Sequence, residues 1–316
     1  MAGPRIISIN RQVIKAGTNA IINLNIAKLA SGTKIDLPIY VFRSTEPGPV
    51  VLLSGGLHGD EVNGIEIVRR LISSDTLKNL QKGSVIAIPI MNIYGFLNFS
   101  RQVPDGKDIN RSFPGSKTGS LASRVAYNLT HKVLLEIDCG IDFHTGGASR
   151  FNFPQIRYAP RDEFAKEMAD AFNAPVTLAA NLLEKSLRKE AFKMGKSIIV
   201  YEGGESMRFE DHIIEQGVRG ARRVLKHLGM ISRAPHNEES VFCKSSSWIR
   251  AKNSGLFTFY VRSGSRVEKN MVLGKITDPF GEFETKIKSA HSGIIIGHNN
   301  MPVVNQGDAL FHLGLM

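Results

Sequence analysis

The chain has 316 residues, of which 42% are hydrophobic and 22% charged, and this balance excludes wholesale disorder. Its longest apolar runs have the length of a strand, so no membrane partner is expected. The two cysteines lie far apart in sequence, which argues against a disulfide framework. The first residues contain no apolar signal core, and together these observations predict a cytoplasmic protein. The net charge of +11 is spread out, which indicates a general surface bias or, second, attraction of an acidic substrate; a nucleic-acid partner is not expected.

The first third of the chain contains predicted strands and one predicted helix. Residues 5–43 alternate apolar and polar side chains, a pattern that predicts edge strands or hairpins. The run PVVLLSGG at 49–56 is continuously apolar and ends in glycines, as is typical of a buried parallel strand that stops at a functional loop. Helical spacing of apolar residues predicts a helix from Asp60 to Ile72, and SVIAIPIMN at 84–92 predicts a second buried strand.

Strands and helices continue to alternate up to residue 228. Helical spacing predicts helices at Leu121–Leu135, Phe164–Phe172 and Phe209–Leu228. Apolar runs that end in glycines predict buried strands at 139–147 and 196–205. This alternation indicates a layered α/β core.

The pattern changes after Arg233. Residues 234–240 are polar and contain a proline, as linkers do, and the strands beyond them are short and separated by glycine turns. The sequence therefore predicts a catalytic domain at 1–233 that includes the N-terminal strands 1–43, a linker at 234–240 and an all-β domain at 241–316. Two stretches of the last segment share one spacing, which indicates either two half-motifs of a compact β-sandwich or barrel or a chance match: Val267, Asn270, Leu273 and Ile276, and Val304, Gly307, Leu310 and Leu313.

The strongest local signal is the loop GGLHGDE at 55–61, which directly follows the first buried strand. Ligands of open α/β sheets collect at the carboxyl ends of strands, and glycines let the backbone approach a ligand closely. His58 and Glu61 can face one point from this turn, and a nitrogen with a carboxylate oxygen suits Zn²⁺. In a second interpretation His58 caps the following helix, and the helix dipole favours Glu61 in its first turn.

The segment DFHTGG at 142–147 repeats that arrangement of buried strand, histidine and glycines. A lone His144 would more often be a hydrogen-bonded core residue. Together, His58, Glu61 and His144 supply the two imidazoles and one carboxylate of hydrolytic zinc sites, which keep a fourth position open. We predict one zinc ion per chain on these three residues. Asp142 is predicted to be structural, with a possible role in orienting a ligand.

Glu202 ends the fourth apolar strand, in IIVYEGG. Hydrolysis at a zinc site needs a base that takes a proton from water and an acid that protonates the leaving nitrogen, and one glutamate can do both. We predict this role for Glu202 rather than for Glu205, because the strand delivers Glu202 and two glycines follow at once. The alternative is a buried glutamate held in a salt bridge.

A turn-rich loop at 101–115 lies between the two strands that carry the predicted ligands. Arginine grips carboxylates in a bidentate fork, and Arg or Asn can donate to a developing oxyanion. For any one residue of the loop, incidental charge on a solvated segment is the default interpretation. The position of the loop makes Arg101, Asn110 and Arg111 candidates for contacts with the substrate.

Four motifs in this order, GGLHGDE, DINRSFPG, DFHTGG and VYEGGE, resemble the succinylglutamate desuccinylase/aspartoacylase family, a branch of the zinc carboxypeptidase superfamily. The resemblance implies a carboxypeptidase-like mixed sheet flanked by helices, followed by a smaller C-terminal all-β domain that can restrict access to the active site. It also implies zinc on the three ligands named above and a general base and acid at Glu202. In the family pattern the Asn110-Arg111 pair binds the carboxyl end of the substrate, and an upstream arginine, for which Arg101 is the candidate, polarises the scissile carbonyl.

The C-terminal segment also resembles biotinyl/lipoyl-type domains, but it lacks their modifiable-lysine signature, so no covalent cofactor is expected. The sequence as a whole predicts a deacylase that hydrolyses the linear amide bond of a small, anionic N-acyl amino acid or related compound. Two alternatives stay open: a zinc carboxypeptidase that acts on short peptides, and a non-catalytic protein that binds a metal or a ligand. Edge strands near the N-terminus could form the interface of a homo-oligomer.

Overall fold

The computed structural model describes residues 5–28 and 30–316. Its strands form a 13-stranded mixed sheet, a four-stranded antiparallel sheet and a separate two-stranded hairpin. The strands that precede the first helix are β1 (Ile7–Ile9), β2 (Gln12–Ile14), β3 (Asn19–Lys28), β4 (Lys34–Arg43) and β5 (Val50–Gly55). β1 and β2 make the hairpin, and β3 lies at one edge of the main sheet.

Helices and strands alternate in the middle of the chain, as the sequence predicts. The helices are α1 (Val62–Ser73), α2 (Asp75–Lys78), α3 (Ile93–Leu97), α4 (Leu121–Leu129), α5 (Glu163–Phe172), α6 (Leu187–Lys193) and α7 (Asp211–His227). The strands among them are β6 (Ser84–Ile88), β7 (Cys139–Gly146), β8 (Arg150–Tyr158), β9 (Val176–Ala179) and β10 (Ser197–Glu205). The helix predicted to reach residue 135 is regular only to Leu129 and continues as a π turn, Thr130–Leu134. None of the described helices is long and apolar enough to cross a membrane.

Within the described residues, the chain forms only strands after residue 240. These strands are β11 (Val241–Cys243), β12 (Ser245–Arg250), β13 (Gly255–Phe259), β14 (Arg266–Val267), β15 (Val272–Thr277), β16 (Glu284–Lys288), β17 (Gly293–Asn299), β18 (Val303–Val304) and β19 (Ala309–Leu315). The small sheet has the order β16-β15-β13-β18. The other C-terminal strands extend the main sheet, which runs β12-β19-β17-β8-β10-β7-β5-β6-β4-β3, with β9 beside β8, β11 beside β9 and β14 beside β17.

The centre of the main sheet is parallel: β10, β7, β5 and β6 run in one direction. Both faces of β5 are covered, since Val50 and Leu52 pack in the core that contains α4 and α6, whereas Val51 and Leu53 pack in the core that contains α1 and α7. Burial on both faces explains the continuous apolar run of this strand. The expected mixed α/β sheet flanked by helices, with further β-sheet structure at the C-terminus, is thus confirmed. The parallel strands place the loops after β5, β7 and β10 at one edge.

The two C-terminal stretches that share one spacing also share their local structure. Each contains a two-residue strand, β14 or β18, followed by a longer one, β15 or β19. Asn270 (φ 67°) and Gly307 (φ 92°) occupy the same position in the spacing, and both have left-handed backbone conformations. The apolar members of both stretches are buried in one core cluster. The common spacing therefore reflects a common local structure.

The domain boundaries at 233 and 241 stay a prediction, because β17 and β11 pair with β8 and β9 of the preceding segment.

Candidate active site

The loop after β5 places His58 and Glu61 at the carboxyl edge of the sheet. Gly59 permits this, because a β-carbon there would overlap the backbone of α3 at Gly95. Glu61 is the residue before α1, but its side chain makes no capping hydrogen bond. The carboxylate turns instead toward two imidazoles. His58 Nδ1 faces that carboxylate rather than the backbone of α1, so the interpretation of His58 as a helix cap is wrong.

His58, Glu61 and His144 form one buried cluster, with 3%, 2% and 5% of their surfaces exposed. The Nδ1 atoms of the two histidines lie 2.7 Å from opposite oxygens of Glu61, His58 at Oε1 and His144 at Oε2. The backbone N–H of Thr145 donates to Oε2 at 3.3 Å. One potential ligand atom from each of the three residues lies within 4.8 Å of the others. The three predicted ligands therefore converge on one point, and they could hold a metal ion.

The outer nitrogens of both histidines face carboxylates. His144 Nε2 lies 2.7 Å from Asp142 Oδ2, and the Ser54 hydroxyl donates to Asp142 Oδ1 at 2.8 Å. His58 Nε2 lies 3.4 Å from Asp108 Oδ1, a distance too long for a well-formed hydrogen bond. Metal-bound histidines usually present their other ring nitrogen to a carboxylate, which fixes the tautomer and the ring orientation. The arrangement therefore fits ligation through Nδ1.

The electrostatics of the cluster favour a cation. Burial by itself lowers the pKa of His58 and of His144, but the surrounding carboxylates outweigh burial and raise both pKa values. Burial by itself raises the pKa of Glu61, but the two imidazoles hold it below its usual range. A field that attracts protons to these imidazoles also attracts a divalent cation. Two nitrogens and a carboxylate in this field fit an ion such as Zn²⁺.

The cluster lines a cavity of about 300 Å³, and Glu202 lies on the same cavity. β10 pairs with β7 in a register that puts Glu202 directly beside His144. Asn152 Nδ2 donates to Glu202 Oε2 at 2.8 Å, and Arg157 Nη1 lies 3.3 Å from Oε1. Glu202 is thus salt-bridged, as the alternative interpretation expects, and it also faces the cavity. Glu205 does not line the cavity and accepts a hydrogen bond from Asn300 Nδ2 at 2.7 Å.

The loop that contains Arg101, Asn110 and Arg111 brings all three residues to the cavity. Arg101 Nε and Nη2 donate to Asp108 Oδ2 at 3.1 and 2.9 Å, and its Nη1 lies 3.2 Å from His58 Nδ1. Asn110 Oδ1 accepts from the backbone N–H of Leu187 at 2.9 Å, which ties the loop to the start of α6. Arg111 is exposed, and its Nη1 donates to the Asn110 carbonyl at 2.6 Å.

Four further cationic or amide side chains line the cavity that the sequence did not predict, namely Arg150, Asn152, Arg157 and Arg188. Arg188 Nη2 donates to the carbonyls of Ala180 and Asn181 at 3.1 and 2.8 Å, while its buried Nη1 has no hydrogen-bond partner among the described residues. Burial lowers the pKa of Arg188 to about 10, and nearby Arg157 adds to the shift. One sequence signal for the helix that carries Arg188 was available. Ser186 immediately precedes α6, and its hydroxyl accepts a hydrogen bond from the backbone N–H of Lys189, as helix-capping serines do.

Trp248, which β12 contributes to the cavity, was not predicted from the sequence either. Its ring stacks flat on His312 of β19, with centroids 4.0 Å apart and planes at 6°. Burial lowers the pKa of His312 to about 3, and Arg157 and Arg150 add to the shift. His312 Nε2 lies 2.8 Å from the Ser246 hydroxyl. A neutral imidazole thus supports an aromatic wall of the cavity, and this wall belongs to the C-terminal strands.

Known proteins resemble this chain over most of its length. A deacetylase of N-alpha-acetyl-L-2,4-diaminobutyric acid from Halomonas elongata is 28% identical over 296 residues, which cover 87% of this chain and 84% of the relative. The product-bound ectoine utilization protein EutE (DoeB) from Ruegeria pomeroyi has the same fold, with a TM-score of 0.88, 22% identity and full coverage of both chains. A succinylglutamate desuccinylase/aspartoacylase from Rhodobacter sphaeroides superimposes with a TM-score of 0.84, 25% identity and 94% coverage of each chain.

The motifs that form the cavity lie within the segment that matches a family model. The catalytic domain of the succinylglutamate desuccinylase/aspartoacylase family matches residues 47–228, more than half of the chain. This match contains the cluster of two histidines and one glutamate, the loop at 101–115 and Glu202. The chain belongs to the succinylglutamate desuccinylase/aspartoacylase family.

Proposed function

We propose that this protein is a zinc-dependent deacylase that hydrolyses the amide bond of a small N-acyl amino acid to a carboxylate and a free amine. The observation that carries the proposal is the presence of Glu202 on the same cavity as the buried cluster of His58, Glu61 and His144. A zinc ion held by this cluster would lower the pKa of a water molecule and polarise the scissile carbonyl.

Glu202 is the proposed general base and acid. It takes a proton from the attacking water and delivers it to the leaving nitrogen, which one carboxylate can do in sequence. Asn152 and Arg157 each contact one of its oxygens, which keeps the carboxylate oriented toward the cavity. Arg101 is the proposed donor to the oxygen of the scissile carbonyl, because its guanidinium lies beside His58 and is held there by Asp108.

The proposed substrate is anionic. Five arginines line the cavity against three carboxylates, and two of those carboxylates, Glu61 and Asp142, are already engaged with histidines. Arg111 and Asn110 are the proposed contacts for the carboxyl group of the amino acid. The Halomonas relative is named for an N-acetyl diamino acid, which supports an N-acyl amino acid as substrate. The arginines of this cavity favour an acidic side chain over the cationic one of that compound.

Glu202→Gln tests the catalytic assignment. The variant keeps a side chain of the same size but cannot accept the proton, so kcat should fall about 10³-fold, within the range of general acid–base catalysis. Metal analysis should still find about one zinc per chain. Glu205→Gln, the same substitution three residues later on the same strand, is the matched control and should keep its activity. Full activity of Glu202→Gln, or loss of activity only in the control, would contradict the assignment.

A substrate panel tests the reaction class. The zinc-loaded protein would be assayed with N-acetyl and N-succinyl derivatives of acidic, neutral and basic amino acids, and with dipeptides. We expect the highest kcat/KM for an N-acyl derivative of an acidic amino acid. A preference for dipeptides would establish the carboxypeptidase alternative. A zinc-loaded protein that hydrolyses nothing in the panel but binds one member tightly would establish the non-catalytic alternative.

A further inference from the structure

A second cavity, of about 640 Å³, lies between the β1–β2 hairpin, strand β3 and helix α4 with its π turn. We call it the basic groove. It shares no lining residue with the active-site cavity. Its charged lining residues are all basic, namely Arg11, Lys117, Arg124 and Lys132, joined by His131, and no Asp or Glu is among the described residues that line it.

The positive charges of the basic groove are not neutralised locally. Within the described part of the chain, none of its four lysines and arginines forms a salt bridge by a 4.0 Å criterion. The ammonium group of Lys132 donates instead to the neutral side-chain oxygen of Asn10 at 3.3 Å. Burial lowers the pKa of Lys132, and the charges of Arg11 and Lys117 lower it further. Arg11 and Lys117 therefore repel Lys132 across the groove, and an anion placed among these three cations would relieve the repulsion.

Arg11 lines the groove from a left-handed backbone conformation that is unfavourable for arginine. Asn10 (φ 52°) and Arg11 (φ 65°) form the two-residue turn of the hairpin, where Ile9 pairs with Gln12. Turns with two positive φ values favour Asn-Gly, because glycine adopts the left-handed conformation without steric conflict. Asn10 follows this preference and Arg11 does not. Arginine at a position where glycine would cause less backbone strain is consistent with a binding role for its side chain in the groove.

The opposite wall of the groove is one face of a helix. Arg124, Asn128 and His131 follow one another at spacings of four and three residues, which places them on the same side of α4 and its π turn. Ser8 of β1, Asn25 and Ile26 of β3 and Tyr127 of α4 also line the groove. The Asn25 amide is engaged with Asp36, whose carboxylate does not line the groove.

We propose that the basic groove binds a small organic anion with two or more negative charges, a phosphate ester or a polycarboxylate. The cations come from the turn of the hairpin, the loop before α4, and α4 with its π turn. Cations from three separate segments match several anionic groups on one molecule better than a single charge. The volume is that of a typical small-molecule site. Among the described residues the groove is lined by four lysines and arginines, whereas a single-stranded nucleic acid needs a longer basic track along which its backbone can run. This site is independent of the proposed deacylase activity.

The test is calorimetric titration of the zinc-loaded protein at fixed ionic strength. Fructose 1,6-bisphosphate represents the phosphate esters and tricarballylate the polycarboxylates, so the tighter of the two identifies the class. The groove variant combines Arg11→Gly with Arg124→Gln. The matched control combines Lys252→Gln with Lys269→Gln, which removes the same charge from two exposed lysines elsewhere. We expect saturable binding that weakens at least about tenfold in the groove variant and not in the control.

Arg11→Gly keeps the result interpretable, because glycine suits the left-handed turn and the variant should unfold at no lower temperature than the parent protein. The active-site arginines are intact in all three proteins, so any anion bound there gives the same background. Equal affinity in the groove variant and the control would overturn the proposal, as would the absence of saturable binding of both probes at millimolar concentration. Tighter binding of a labelled oligonucleotide than of either probe, lost in the groove variant, would also overturn it in favour of a nucleic-acid site.

Discussion

The buried imidazole of His312 should make the protein less stable in mild acid. His312 supports Trp248 from behind and lies close enough to Arg150 and Arg157 to be affected by their charges. Its pKa is lowered from 6.5 to about 3 in the folded protein. Above pH 6.5 the imidazole is neutral in both states and pH has no effect through this group. As the pH falls below 6.5, only the unfolded chain takes up the proton, and unfolding is favoured progressively down to about pH 3.

The size of the effect at pH 5 follows from the pKa of the unfolded chain alone. The folded protein is still neutral at His312 there, because its pKa of about 3 lies well below that pH. The interval between pH 6.5 and pH 5 is about 1.5 units, and each unit corresponds to about 1.36 kcal/mol, so the loss is about 2 kcal/mol. That is a large share of the stability of an ordinary domain.

The comparison to make is between the parent protein and His312→Gln. Glutamine stays neutral at every pH and can still hydrogen-bond the Ser246 hydroxyl. Urea unfolding at pH 7.5 and pH 5 should show that the parent loses about 2 kcal/mol more than the variant over this interval. His298, whose pKa is lowered to about 4, and the buried His58 and His144 are present in both proteins, so their contributions cancel in the difference. An identical pH dependence in the two proteins would show that His312 does not destabilise the folded protein in mild acid.

Two further predictions concern the cavity. Asp142→Asn removes the charged acceptor of His144 Nε2, so zinc affinity measured by competition with a metal-sensitive dye should fall about 10- to 100-fold; unchanged affinity would contradict ligation through Nδ1. Trp248→Ala removes the aromatic wall, so KM for the preferred substrate should rise about tenfold with little change in kcat, because the ring contacts the ground state and the transition state alike. Trp248→Phe, which keeps a ring, should have a KM close to that of the parent protein. An unchanged KM in Trp248→Ala would show that the aromatic wall does not contact the substrate.

The parts of the fold and site that the sequence predicts are those encoded within short segments. Strands β5 and β7 are read from apolar runs, because burial on both faces leaves no polar alternation. His58, Glu61 and His144 follow those runs directly, and parallel strands must bring their carboxyl ends to one edge. Glu202 is predictable for the same reason.

The parts that could not be predicted depend on pairings between distant segments. Asn152 and Arg157 reach the cavity because β8 runs antiparallel beside β10, and nothing in β8 specifies its neighbour. Arg188 lies on a helix of only seven residues, too short for a clear periodicity. Trp248 needs β19, more than sixty residues later, as its partner strand. The register of a strand depends on how its side chains pack against neighbouring segments, and the sequence of one segment alone does not identify those neighbours.

The stacking of Trp248 on His312 has a consequence for synthesis of the protein. During translation, His58, Glu61, His144 and Glu202 emerge from the ribosome long before His312 does. Strand β12 lacks its partner until β19 has been made, so the aromatic wall has nothing behind it in a shorter nascent chain. The polypeptide can therefore carry a complete set of chemical groups while its pocket is still open on one side. The side of the cavity that Trp248 forms is therefore the last to be completed, at the moment when β19 docks.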